Sequence, residues 1–157
     1  MLKPVLKRYF EEYAEAHQHP TNRLTHKIAI PLIVFHILAM LDWWKLFSVG
    51  NSWSISAGQI FFLFVMCWYC FLHIKLAMGM MVLFIFCFPI GRYTPPSVVI
   101  GIAIVAWGIQ LAGHVIWEKK SPAFLTNLIQ ALVGPLFFMA LLLGEWPVRP
   151  EEVNVNS

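Results

Sequence analysis

Apolar residues in this chain come in long runs separated by short polar breaks. The start of the chain is the exception. Across 2–18, Leu6, Tyr9, Phe10, Tyr13 and His17 recur every three or four residues, while Lys7, Glu11, Glu12 and Glu15 fall mostly on the opposite side. That period predicts an amphipathic helix, of a kind suited to lying along a membrane surface. Pro20 is expected to stop it, and Thr21 is placed to cap the next helix. The later runs, 28–46, 55–74, 76–88, 98–117 and 125–143, predict five membrane segments. The third is short and ends at Pro89. Trp43 and Trp44 mark an interface, Gly50, Asn51 and Ser52 a loop, and Gly91 to Pro96 a turn, while Gly134-Pro135 predicts a kink in the fifth segment. The expected fold is an all-α, polytopic membrane helical bundle of about five transmembrane segments behind an N-terminal amphipathic helix. Residues 1–157 are read as one membrane domain, with 144–157 a polar tail.

Composition agrees with this pattern. Of 157 residues, 59% are hydrophobic and 12% charged, and the mean hydropathy is +0.70. Soluble domains carry about twice that share of charge. The formal charge of +3 and the lack of a basic run give no footprint for nucleic acid. The polar first 25 residues give no sign of a cleavable signal peptide. Cys67-x-x-Cys70 and Cys87 all fall in apolar segments, so they are read as inert buried thiols rather than a redox or metal pair.

With five segments, charge sets an orientation. Lys3, Lys7, Arg8, Arg23, Lys27, Lys75, Lys119 and Lys120 fall on one side; Lys45, Arg92 and Arg149 fall on the other. The positive-inside rule places the N-terminus in the cytosol, in the inner membrane of a bacterium or the endoplasmic reticulum of a eukaryote. Merging the second and third segments would make a helix too long for about 30 Å of hydrocarbon, so a helical hairpin is expected there. The end of the fourth segment then returns to the side where the first begins.

That geometry matters because both places carry costly polar groups. Gln110, His114 and Glu118, four residues apart, share one stripe of an apolar helix. Ionisable groups inside a membrane span usually face a partner, a cavity or a site. His17, Asn22 and His26 precede and open the first segment. Three imidazoles and a carboxylate with open positions suit non-haem Fe(II) and oxygen chemistry, although neutral imidazole also suits zinc and copper. Asn22 and Gln110 would then orient the ligand rings. The plainer reading of each His is a polar tip at the interface, and Glu118 has Lys119, Lys120 and Arg23 as alternative partners. His19 is expected to face solvent, His36 to bond a neighbouring helix, and His73 to stand as a reserve fourth ligand. No phosphate-binding loop or activated Ser or Cys motif is present. The membrane di-iron desaturases and hydroxylases need more histidines than the six here, gathered in repeated clusters.

These residues carry a resemblance. Tyr13-x-x-x-His17-x-x-Pro20-x-Asn22-x-x-x-His26, a proline at 31, then Gln110-x-x-Gly113-His114 with Glu118 and Pro122 resemble the small membrane proteins of domain of unknown function 962. The characterised fungal member of that family is an endoplasmic-reticulum 2-hydroxy fatty acid dioxygenase of phytosphingosine breakdown. The resemblance spans about 5–143, and Ala29 stands where the family often has glycine. It implies an Fe2+-dependent α-oxidation in which a 2-hydroxy fatty acid reacts with O2 and loses one carbon. By position it implies His17, His26 and His114 as iron ligands, Glu118 as a ligand or acid–base group, and Asn22 and Gln110 in support. Arg23, Lys27, Lys119 or Lys120 would attract the substrate carboxylate. Two other readings stay open: a non-catalytic lipid-binding or scaffolding membrane protein, and a membrane metalloprotein, holding zinc or haem, with a different reaction. Oligomeric state is not legible.

Overall fold

The computed structural model describes residues 2–49, 53–122 and 127–146. Helix α1 (Pro4–Glu15) is followed by the long α2 (Pro20–Asp42), a hairpin of β1 (Lys45–Val49) and β2 (Trp53–Ser56), and α3 (Ala57–Leu72). Then come α4 (Ile74–Ile85), α5 (Cys87–Tyr93), α6 (Pro96–Ala112) running into a π-helical turn (Gly113–Glu118), and α7 (Ile129–Leu142). The architecture is the expected helical bundle, organised on α2, which packs against α3, α5, α6, the π turn and α7.

Helix α1 forms on its amphipathic period, but its apolar face packs into the protein. Leu6 and Phe10 are fully buried, and Phe10 meets Phe137 and Trp146 edge-on at 5.2 and 5.3 Å. Helix α2 starts two residues earlier than expected. Pro20 is its first residue, where a missing N–H costs nothing, and the cap is the His19 side chain, which accepts from Thr21 N at 3.1 Å.

Among the described residues, three helical stretches are long and apolar enough to cross a membrane: Pro20–Asp42, Ile74–Tyr93 and Pro96–Glu118. The second of these corrects the short third segment. Pro89 does not end it, because a new helix begins at Cys87 and places Pro89 in its first turn, where it loses no hydrogen bond. Gly91 lets α5 close on α2; a Cβ there would meet the Ala39 Cβ at 2.8 Å. Ala57–Leu72 and Ile129–Leu142 are apolar but shorter. The break between α3 and α4 falls at His73, so the expected helical hairpin is present.

The antiparallel strand pair was not expected. Residues 45 and 46, assigned to the first segment, and Ile55, assigned to the second, belong to it, with Phe47 opposite Ile55 and Ser48 opposite Ser54. β-branched and aromatic residues either side of a polar break favour this pairing. The loop Gly50–Ser52, the start of the fifth segment at Leu125 and the tail beyond 146 lie outside the described residues. The outer surface stays apolar, with Leu63, Phe64, Phe71, Ile104 and Val115 all more than 60% exposed, a surface suited to membrane association. Cys67 and Cys70 lie on it. They are exposed rather than buried, because no described residue covers that face of α3; only Cys87 is buried.

Candidate metal centre

Three segments far apart in sequence deliver three rings to one point. His17 sits between α1 and α2, His26 lies in the second turn of α2, and His114 opens the π turn. All three are at least 95% buried. Their ring centroids are 4.5, 4.8 and 4.9 Å apart, and one nitrogen from each lies within 4.8 Å of the others.

In two of the rings the hydrogen bonds fix which nitrogen this is. His17 Nδ1–H donates to the Tyr13 carbonyl at 2.6 Å, and His26 Nδ1–H to the Asn22 carbonyl at 2.8 Å. A carbonyl only accepts, so each Nδ1 holds the proton and each neutral ring keeps an unprotonated Nε2. Burial pushes the His17 pKa down from 6.5 to about 4, so that ring is neutral at pH 7. His17 Nε2 and His26 Nε2 nevertheless face each other at 3.1 Å, and His114 Nε2 stands 3.0 Å from His26 Nε2. Two facing lone pairs repel unless a proton or cation lies between them. A cation about 2.1 Å from two nitrogens spreads them by about 3.0 Å at a right-angled bond, and the observed separations fit. The backbone anchoring of two rings through their other nitrogen is also what metal-ligating histidines show. The cluster can hold a metal ion.

The remaining candidates surround it differently. Gln110 Nε2 donates to His26 Nε2 at 2.6 Å, and its buried Oε1 has no partner. Asn22 Nδ2 donates to Glu118 Oε1 at 3.1 Å, while Asn22 Oδ1 and His114 Nδ1 are buried without partners. Glu118 Oε1 also accepts from the backbone N–H of His19 at 2.7 Å. Its carboxylate therefore lies over the start of α2, where a negative charge suits the helix dipole, and ties α6 to α2. His19 is half-buried in its capping role. His36 is bonded on both nitrogens, donating to the Leu32 carbonyl at 3.0 Å and accepting from Trp107 Nε1–H at 3.2 Å. His73 accepts from Leu76 N at 3.4 Å as the cap of α4. Arg23 Nε donates to the His17 carbonyl at 3.2 Å.

The cluster borders a cavity of about 360 Å3, within the range of small-molecule pockets. Its wall includes Tyr13, His17, Gln110 and His114 at one end. Ile30, Val34, Ile37 and Leu38 continue it along α2, opposite Phe62, Val65 and Phe84. From His26 to Leu38 is twelve residues of helix, about 18 Å. Helices α6 and α7 both contribute walls and both lean on α2, with few close approaches to each other.

Three residues at the site gave weaker sequence signals. Gly113 brings the π turn onto α2, since a Cβ there would collide with Asn22 Oδ1 and Thr25 Oγ1; the signal was its place beside His114. Tyr13 stacks on His17, with centroids 4.0 Å apart and planes at 17°; the signal was its position four residues before. Burial pushes its phenol pKa up. Gln130, an amide within an apolar run, is 95% buried on the cavity wall and donates to Glu12 Oε2 at 3.1 Å.

Membrane-length apolar helices enclosing a buried three-histidine cluster at the mouth of an apolar cavity define a helical, membrane-associating protein with a metal-competent centre. The chain belongs to the family described as 2-hydroxy-palmitic acid dioxygenase Mpo1-like, whose model matches residues 4–146. It is 30% identical over 132 residues to the 2-hydroxy-palmitic acid dioxygenase MPO1 of Saccharomyces cerevisiae (strain ATCC 204508 / S288c), covering 81% of this chain and 73% of the yeast protein. No solved structure matches it.

Proposed function

We propose that this protein is a non-haem Fe(II)-dependent dioxygenase that takes a 2-hydroxy fatty acid and O2 and releases a fatty acid one carbon shorter. The observation that carries the reading is the convergence of three buried imidazoles at the mouth of a long apolar cavity. The similarity to a 2-hydroxy-palmitic acid dioxygenase supports the substrate class. His17, His26 and His114 hold the iron, and no fourth protein ligand is assigned. Bound Fe(II) supplies the redox chemistry with O2 by which the carbon chain is cut next to its carboxylate.

The chain's own residues do the rest. The Tyr13 and Asn22 carbonyls hold the His17 and His26 rings so that Nε2 points inward. Asn22 and Glu118 hold the π turn, and with it His114, against the start of α2. Gln110 lies beside His26 Nε2, at the inner edge of the cluster. The apolar walls take the acyl tail and keep bulk water from the reacting carbons. The site lies at the cytosolic face of a multi-pass membrane protein whose N-terminus is cytosolic, and the single domain spans the chain.

The test is incubation of purified protein with 2-hydroxypalmitate, Fe(II) and O2, followed by fatty-acid analysis. The expected product is the saturated acid one carbon shorter, with bound iron and no haem absorbance. An iron-loaded, folded protein that leaves 2-hydroxypalmitate intact would falsify the reading.

A further inference from the structure

The cavity wall carries a donor that neither the metal cluster nor the fold uses. Among the described residues the wall has no Lys or Arg, so an acid head group entering it meets no protein cation. Most neutral donors there are committed. Trp107 Nε1–H donates to His36 at 3.2 Å, and Gln130 and Gln110 each spend one amide N–H, on Glu12 at 3.1 Å and on His26 at 2.6 Å. Tyr13 differs. Its ring lies flat against His17, and no described residue forms a hydrogen bond with its hydroxyl. That hydroxyl reaches Gly134, another wall residue, where the missing side chain makes room; a Cβ there would stand 3.2 Å from it.

We propose that the Tyr13 hydroxyl donates a hydrogen bond to the carboxylate of an acyl ligand whose tail lies in the cavity, so that Tyr13 anchors the acid head group beside the three histidines. A carboxylate only accepts, and a phenol is a donor at neutral pH. With no cation on the wall, a charge-assisted bond from a neutral donor is the contact left for the protein to make. The inference rests on the fatty-acid reading of the cavity but not on the reaction assigned to it.

The experiment is displacement of a fluorescent fatty acid from the iron-loaded protein in the absence of O2, which reads binding without turnover. The competitors are palmitate, 2-hydroxypalmitate and the diol in which CH2OH replaces the carboxylate of 2-hydroxypalmitate. Tyr13→Phe keeps the ring on His17 and should retain its metal. It should weaken both acids about tenfold and the diol less than about twofold. Gly134→Ala, which crowds the hydroxyl and the ring edge, should weaken the acids more than the diol in the Tyr13 protein and weaken both alike in the Tyr13→Phe background. Equal weakening of acids and diol by Tyr13→Phe, or none, overturns the anchor, as does a wild-type protein that binds no fatty acid. If wild type binds acids but makes no shortened product, while Tyr13→Phe still weakens the acids selectively, the reaction falls and the anchor stands.

Discussion

Helix α2 carries a buried polar cluster at each end, and the two are built on opposite terms. At its C-terminal end, Asp42 is 97% buried yet fully partnered. It accepts from Ser56 Oγ at 2.5 Å and from Arg92 Nε and Nη2 at 2.7 and 3.2 Å, with Lys45 Nζ at 3.2 Å. Ser56 and Gln59 meanwhile close a reciprocal cap on α3. At the N-terminal end, Asn22 Oδ1, Gln110 Oε1 and His114 Nδ1 have no partners among the described residues, and imidazole nitrogens face one another. A buried polar group left unpaired costs about 1–3 kcal/mol. One cluster is a satisfied clamp; the other is left short of partners and can hold a metal ion.

The comparison breaks most sharply at His26, whose Nε2 lies near both other rings. His26→Ala should reduce metal content and turnover at least about a hundredfold while the protein still inserts and folds, read by elemental analysis and product formation. If iron stays, the ligand assignment is wrong.

Acid should act next. His17 has a pKa of about 4 in the fold against 6.5 ordinarily, so its neutral form is the one the fold favours. Its contribution to stability is complete above 6.5 and is lost as pH falls towards about 4. Protons compete with metal for the same ring. Metal retention titrated over that window should therefore fall with pH, and a flat profile would separate His17 from the metal.

A smaller effect is expected from Gly113→Ala. Its methyl group would force Asn22 and Thr25 away from the π turn and shift His114 against His26, lowering metal affinity about tenfold. Chelator competition measures this, and unchanged affinity would show that the close approach does not set the ring geometry. Asp42→Asn should leave metal content and activity unchanged while reducing stability by about 2 kcal/mol, the cost of weakening hydrogen bonds to a charged group. Thermal unfolding reads that loss, and iron loss in the same variant would erase the distinction between the two ends.

Most of the α1 face and the apolar character of every later helix were legible, because burial and helical period act on neighbours in sequence. His17, His26 and His114 were legible as a set only through charge counting and the family resemblance. The continuation of α4 by α5 past Pro89 was not, since a proline ends or opens a helix according to where the next first turn falls. The β-hairpin was hidden by long apolar segments whose composition also suits a span.

The sequence by itself determined that this chain forms apolar helices, that costly polar residues cluster near two of their ends, and which chemistry imidazoles in that number suit. Those are properties of composition and local period. Only the tertiary structure decided that three Nε2 atoms meet, that Gly113 permits the approach, that Glu118 lies over the start of α2, and that Tyr13 borders a cavity. Each depends on the distance between segments nearly a hundred residues apart, and packing on α2 sets that distance.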